Sequence, residues 1–425
     1  MLFIALVSLA PRAARANGAF PESFQLLVPA DRPKQIVLGT NFGLILSDDD
    51  GASWTWTCEQ AQTLNGSLFA VGAPPMDRFY SVSSLTGLAY SDDDSCTWKV
   101  ARGTVERMLT TDFFPDPANP LRVFAIGQDP DGATTPQVYP SDDGGATFGA
   151  AIFVTTSVDT LTGVESARSA PQTIYLAMFS SPGIHPKLVR STNGGAQWTT
   201  IDVEPFLGQN NFRIIAVDPT DAKVLTLRVI EPLGESVAVS RDGGDTFTKV
   251  STLAGGILTG YVKLDSGTVL VAGAVLDQAR GFRSTDGGMT FQDWPQVAHL
   301  RALGTRGGKL YAAAKNYSDD WAVGVSTDEG QTFTPLTRYD QVKSIRACAQ
   351  AICLESCKTL VARQVWDRGV CEVPEPPEGL PEPPAAKSGC GCGVASQPGP
   401  LAWSALAALA LVGAALAGRR CRQSR

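Results

Sequence analysis

An all-β fold, a ring of seven four-stranded antiparallel blades, is predicted by three features of the 425-residue sequence. One frame, Ser-x-Asp-x-Gly-x-Thr-aromatic, begins at Ser47 (SDDDGASW), Ser91 (SDDDSCTW), Ser141 (SDDGGATF), Ser191 (STNGGAQW), Ser240 (SRDGGDTF), Ser284 (STDGGMTF) and Ser326 (STDEGQTF). The intervals are 44, 50, 50, 49, 44 and 42 residues, with a mean of 46.5, a period that marks a repeat architecture. Between copies the chain gives four short runs rich in β-branched and aromatic residues, each bounded by Gly, Pro, Asp or Asn.

The frame has a mechanical meaning. Ser ends one strand, the Asp carboxylate accepts backbone N–H groups of its own turn, Gly supplies a positive φ, and the aromatic starts the next strand. The structural positions are Asp49, Asp93, Asp143, Asn193, Asp242, Asp286 and Asp328. Two copies depart from the pattern and are expected to be looser: Ser95 stands for Gly, and Asn193 with Gln197 replace Asp and Thr. In blade one the strands are expected over Ser23 to Val28, Gln35 to Thr40, Gly43 to Ser47 and Ser53 to Cys58. A second turn recurs between first and second strands, in Asp116-Pro117-Ala118-Asn119-Pro120 and Asp218-Pro219-Thr220-Asp221.

The frame resembles the Asp-box, or BNR, repeat of sialidases, sortilin-type receptors, photosystem II assembly factors and xyloglucan-type glycoside hydrolases. The Asp-Pro turn is similar to one that accompanies Asp boxes in the same families. The resemblance implies a seven-bladed β-propeller over residues 17–340, with the frame joining the third and fourth strands of each blade. Asp boxes and Asp-Pro turns then share the lower face, and the variable loops share the upper one, where binding and catalysis concentrate.

The ends carry other signals. Residues 1–16 read as a secretory signal peptide: an apolar run from Leu2 to Ala10, then Ala14-Arg15-Ala16 as cleavage pattern, although the arginines follow the apolar core. Residues 341–373 are expected to form a Cys-rich cap. The alternative is a degenerate eighth blade with strands at Ser344 to Ala349, Ala351 to Glu355 and Thr359 to Trp366. Residues 374–400 begin with PEPPEGLPEPPAAK, a polyproline spacer, and continue into Cys390 and Cys392. The apolar segment 401–418 is expected as a transmembrane helix of about 25 Å, and residues 419–425 as a basic cytoplasmic tail. This end resembles a myxobacterial-type sorting signal, with a Gly-Cys-Gly-Cys motif, a helix and an arginine cluster. The resemblance implies a sorting protease as partner and a protein held at the cell surface; a permanent membrane anchor is the alternative.

Composition narrows the function. The net charge of −7 becomes −13 once the six terminal arginines, Arg12, Arg15, Arg419, Arg420, Arg422 and Arg425, are set aside. Such an acidic body disfavours nucleic acid. Cys58, Cys96, Cys348, Cys353, Cys357 and Cys371 form an even set in an exported region and are expected as disulfides. Cys58 and Cys96 are read as one pair between neighbouring blades, and the other four allow three pairings. Their spacing does not suit zinc, only His185 and His299 are present, and no phosphate or dinucleotide loop appears, so no metal or cofactor is expected.

Two functions compete. A glycoside hydrolase needs acid and base on the upper face, where Asp129, Asp131, Glu231, Asp319 and Asp320 are candidates. A sialidase-like site is not carried over: the opening strand has no arginine, Arg32 falls in a lower turn, and Phe212-Arg213-Ile214 lies in blade five. A xyloglucanase-like site would need a cleft between two propellers, and this chain holds one. A binding propeller would recognise an extracellular polysaccharide, glycoprotein or protein through Phe206, Trp294, Tyr317 and Trp321, with Asn210, Asn211 and Asn316 as hydrogen-bonding groups. The sequence favours binding.

Overall fold

The computed structural model describes residues 21–62, 68–76, 78–83, 87–295 and 298–372. The expected signal peptide, spacer, transmembrane helix, basic tail, Cys390 and Cys392 lie outside them. Among the described residues no helix is long and apolar enough to cross a membrane.

The described chain forms seven four-stranded antiparallel blades taken in sequence order. Blade one comprises Ser23–Leu27, Ile36–Thr40, Gly43–Ser47 and Thr55–Thr57. The innermost strands of the next six blades are Leu68–Val71, Leu109–Pro115, Asp159–Ala167, Asn211–Val217, Gly256–Lys263 and Leu300–Arg306. Second strands carry the core because they are covered on both faces: all of Ile36–Thr40 is buried.

Each recurring turn closes by the same bonds. In the third copy Ser141 Oγ donates to Asp143 Oδ1 at 2.8 Å and accepts from Gly145 N at 2.9 Å. Asp143 then accepts from Thr147 N at 2.8 Å and Thr147 Oγ1 at 2.6 Å. The departures expected to be loose keep the scaffold. Ser95 adopts φ +69° and donates its N–H to Ser91 Oγ at 3.0 Å. Gln197 N still reaches Asn193 Oδ1 at 2.8 Å, and only the side-chain pair lengthens, to 3.4 Å. Of the aromatics, Trp54, Trp98, Phe148 and Phe247 are buried, each contributing about 1.5–3 kcal/mol of apolar burial.

Neighbouring blades are stitched at every junction. Asp112 Oδ2 accepts from Val164 N at 2.9 Å, Thr162 Oγ1 donates to Phe212 O at 3.1 Å, and Thr259 Oγ1 to Leu300 O at 2.6 Å. Gln25 bonds Phe69, Glu235 accepts from Leu258 N, and Ser23 Oγ donates to Ala314 O. Six of the seven inner strands carry a register shift at this level; such a bulge turns a side chain toward the next blade. On the lower face Arg78 and Tyr80 bind the Gly144 carbonyl, and Arg190 the Gly243 carbonyl, across the blade boundary.

The C-terminal segment corrects two expectations. It does not form strands of an eighth blade. Ser344–Ile345 adds in parallel to the outer strand of blade one, and Gln350–Ala362 is a helix burying Cys353, Cys357 and Leu360. That spacing of four and three is helical, a period hidden by reading the cysteines only as bridges. Cys58 and Cys96 do not pair with each other. Cys58 joins Cys353, Cys96 joins Cys348, and Cys357 joins Cys371. The cap occupies the edges of the first two blades, so it meets both early cysteines. Trp366 packs on Trp56 and Phe42 at 5.0 and 5.9 Å beneath it.

Two outcomes follow from this closure and from the turns. The Cys58→Ala, Cys353→Ala variant should lose about 2–4 kcal/mol in equilibrium urea unfolding. Also removing Cys96–Cys348 should cost more than the two single losses together, because either bridge alone still closes the ring. The turn carboxylates are also acid-labile. Partial burial pushes Asp242 up, but bonds from Thr246 and Ser240 outweigh it and hold it at about 2; the Thr290 and Thr332 hydroxyls hold Asp286 and Asp328 below the usual range. Their folded values lie below the unfolded 3.8, so this stability is complete above that pH and is lost as pH falls toward about 2. Asp242→Asn should be less stable than the natural chain at pH 7, with the deficit vanishing near pH 2, read as unfolding midpoints.

Candidate functional site

The upper face is built by the connections between second and third strands and between blades. One of its features lies where blades seven and one meet. There a small pocket is lined by Glu22, Arg301, Lys315, Asn316, Tyr317 and Tyr339 among others. A short helix, Asn316–Asp319, forms its wall. Buried Asn316 fixes that helix by accepting from Tyr339 N at 3.0 Å. Tyr317 meets Tyr339 edge-on at 5.8 Å and stays 47% exposed. Arg301 pairs with Glu22 at 2.6 Å across the junction of the first and last blades.

Beside the pocket a histidine ties three connections together. His299 Nδ1 faces Asp319 Oδ1 at 2.8 Å, and Nε2 faces the Asp277 carbonyl at 2.8 Å. A carboxylate and a carbonyl both only accept, so both ring nitrogens donate and the site holds imidazolium. The bond to Asp319 accordingly raises the His299 pKa, against partial burial. Asp319 also takes N–H groups of His299 and Lys315 at 3.0 and 3.1 Å, while Lys315 Nζ reaches Asp277 Oδ1 at 2.6 Å.

The candidates from the sequence divide by place. Asp319, Asp320, Tyr317 and Asn316 come together on blade seven, where Asp320 pairs with Arg338. Trp294 and Trp321 are both buried in the packing between blades six and seven, and Trp321 stacks on Phe333 at 5.6 Å. Both indoles are enclosed between sheets, and Trp294 also borders a cleft between blades five and six. Glu231, on blade five, binds Lys249 and accepts from Ser236 at 2.8 Å. Asp129 and Asp131 share a blade-three loop, where Asp129 Oδ1 accepts from Asp131 N. Phe206 packs in the core between blades four and five, Asn210 donates to Leu207 O, and Asn211 accepts from Phe212 N.

Other groups were missed. Glu22, Asp277, Arg301 and Lys315 give no motif, since each takes its role from a neighbouring blade. His185, like His299, has a carboxylate partner, Glu204 at 2.7 Å. On adjacent inner strands of blades three and four, burial pushes Asp112 up to about 6, with Val164 N–H and Arg213 pulling against it. Burial, then the charge of Asp112, pushes Glu165 well above the usual carboxylate range. Among the described residues no group of His, Cys, Asp and Glu is placed to hold a metal ion.

With this geometry in view, comparison with known proteins returns the fold. No protein family matches the sequence, and no curated protein matches it. Among solved structures the chain is similar to the extracellular domain of the one component system BT4673 from B. thetaiotaomicron: 10% identity, TM-score 0.53, covering 75% of this chain and 42% of that one. It is also similar to the GH74 enzyme of Niastella koreensis at 15% identity and TM-score 0.44, covering 74% and 65%. YCF48 from Cyanidioschyzon merolae aligns at 13% identity and TM-score 0.48, covering 73% and 97%. The chain thus spans under two thirds of the first two proteins' lengths.

The histidine clasp has a signed pH dependence. Its folded pKa is raised above 6.5, so its contribution is complete below that value and is lost as pH rises through the folded pKa. The melting-temperature gap between the natural chain and His299→Gln should be widest near pH 6 and should close as the solution becomes alkaline.

Proposed function

We propose that this chain is an exported Asp-box propeller, held at the cell envelope or surface by its C-terminal segment, that binds an extracellular polysaccharide, glycoprotein or protein without transforming it. The domain boundaries proposed are those read from the sequence, with residues 17–340 as propeller and 341–373 as cap. The sorting-type tail is processed near Cys390 and Cys392 or stays as an anchor. Three disulfides support an oxidising destination.

One observation carries the binding reading: the acids in and beside the blade-seven pocket are already committed. Asp319 holds His299 and two backbone N–H groups, Asp277 holds Lys315, and Glu22 holds Arg301. What the pocket presents outward is the half-exposed Tyr317 ring beside that charged frame, a combination suited to stacking on a sugar or amide plane.

Glycoside hydrolysis is a second reading, favoured by Asp112 and Glu165, two carboxyls on adjacent inner strands whose pKa values burial raises, because a raised carboxyl suits the acid role. A glycan array run beside chromogenic glycosides separates the two. Binding predicts saturable retention of a ligand without turnover, weakened about tenfold by Tyr317→Ala. Turnover abolished by Glu165→Gln would establish hydrolysis instead.

A further inference from the structure

The blade-seven pocket contains two hydrogen-bonding atoms that the fold leaves unused. Among the described residues neither Tyr339 Oη nor Arg301 Nε has a hydrogen-bond partner, and both atoms are buried. Tyr339 is 1% exposed, with Phe42 edge-on at 5.2 Å and Tyr317 at 5.8 Å. Burial raises the pKa of its phenol, against a pull from Ser23, and the charges of Glu22 and Arg301 also act on it. The hydroxyl therefore keeps its proton and lies among residues that line the cavity. Ser23 gives its own hydrogen to the Ala314 carbonyl. A buried donor left unmade costs free energy, and few buried polar atoms in a fold are left so.

The chemistry of the missing partner is constrained. A guanidinium nitrogen only donates, and the phenol has its proton to give, so the partner offers an acceptor. The cations at the pocket are already neutralised, Arg301 by Glu22 at 2.6 Å and Lys315 by Asp277 at 2.6 Å. A ligand carboxylate would set a second negative charge beside Glu22, which Coulomb repulsion disfavours. An uncharged carbonyl oxygen, with two lone pairs, meets both conditions. The cavity measures about 120 Å³, room for a group of a few heavy atoms, and Pro21, Tyr317 and Tyr339 give it apolar wall. The Tyr317 ring, 47% exposed, stands at its rim.

We propose that the pocket takes the acetamido group of an N-acetylated sugar. The carbonyl oxygen accepts from Tyr339 Oη and Arg301 Nε, the methyl group lies against the tyrosine rings, and the pyranose rests on Tyr317. This rests on the binding role proposed above for the same pocket and narrows its ligand to glycans that carry amino sugars. The free energy withheld from the fold by two unsatisfied donors is recovered when the ligand enters.

Titration calorimetry of the full chain with three tetrasaccharides of one β-1,4 backbone tests the proposal: chitotetraose, its deacetylated form and cellotetraose. Chitotetraose should bind at least tenfold more tightly than the other two. Tyr339→Phe, which deletes only the unpartnered oxygen, should weaken chitotetraose at least fivefold. The same variant should keep or raise the urea unfolding midpoint, because it removes an unsatisfied buried donor. Equal binding of chitotetraose and cellotetraose, both lost with Tyr317→Ala, would overturn the acetamido assignment while the binding role of the pocket stands. Absence of chitotetraose binding, binding indifferent to Tyr339→Phe, or a lowered midpoint for that variant would overturn it too.

Discussion

The fold rests on one local solution, repeated: a serine hydroxyl and a carboxylate that together satisfy the backbone of a reversing turn. Ser Oγ takes the N–H four residues on, Asp takes the next exposed donors, and the aromatic is delivered to the boundary between sheets. A reversal of this kind would otherwise leave polar backbone next to a buried aromatic. The same turns present carbonyls at Gly144 and Gly243 that the preceding blade binds through Arg78 and Arg190. Local hydrogen bonding is thereby converted into long-range order, and two copies with altered side chains keep the turn geometry because the serine contact is retained in both.

Ring closure obeys different physics. A strand after blade seven joins the outer edge of blade one, the helix behind it is bridged to blade one, and the short turn between them is bridged to blade two. The inner rim is closed separately, by Ser23 on Ala314 and by Arg301 on Glu22. The blade-seven pocket sits on this seam, so the side chains that complete the ring also shape the cavity that the proposed function uses.

The repeat made the architecture legible. Blade number, strand order, and the sharing of one face by both recurrent turns all follow from a constant spacing and the reversal of direction at each turn. The helix within the cap and much of the site were not legible, for two reasons. Cys353, Cys357 and Leu360 carry a helical period, but over thirteen residues it competes with β-branched runs and cysteine spacing. Trp294 and Trp321 sit in loops by sequence, and only the closeness of two sheets shows that their rings are enclosed. The pairing of His299 with Asp319 spans 20 residues and two blades, and no local pattern announces such contacts.

The distance along the chain between bridged cysteines, 295 residues for Cys58–Cys353 and 252 for Cys96–Cys348, also orders biosynthesis. The first two thiols emerge with the opening blades, and neither can form its own bridge until nearly the whole propeller has been translated. A disulfide oxidant of the compartment can then join each to its late-arriving partner, taking up the two electrons that each bridge releases. A product cut short before Cys348 keeps both thiols and an uncovered sheet edge, a form that quality-control machinery can tell from the finished molecule.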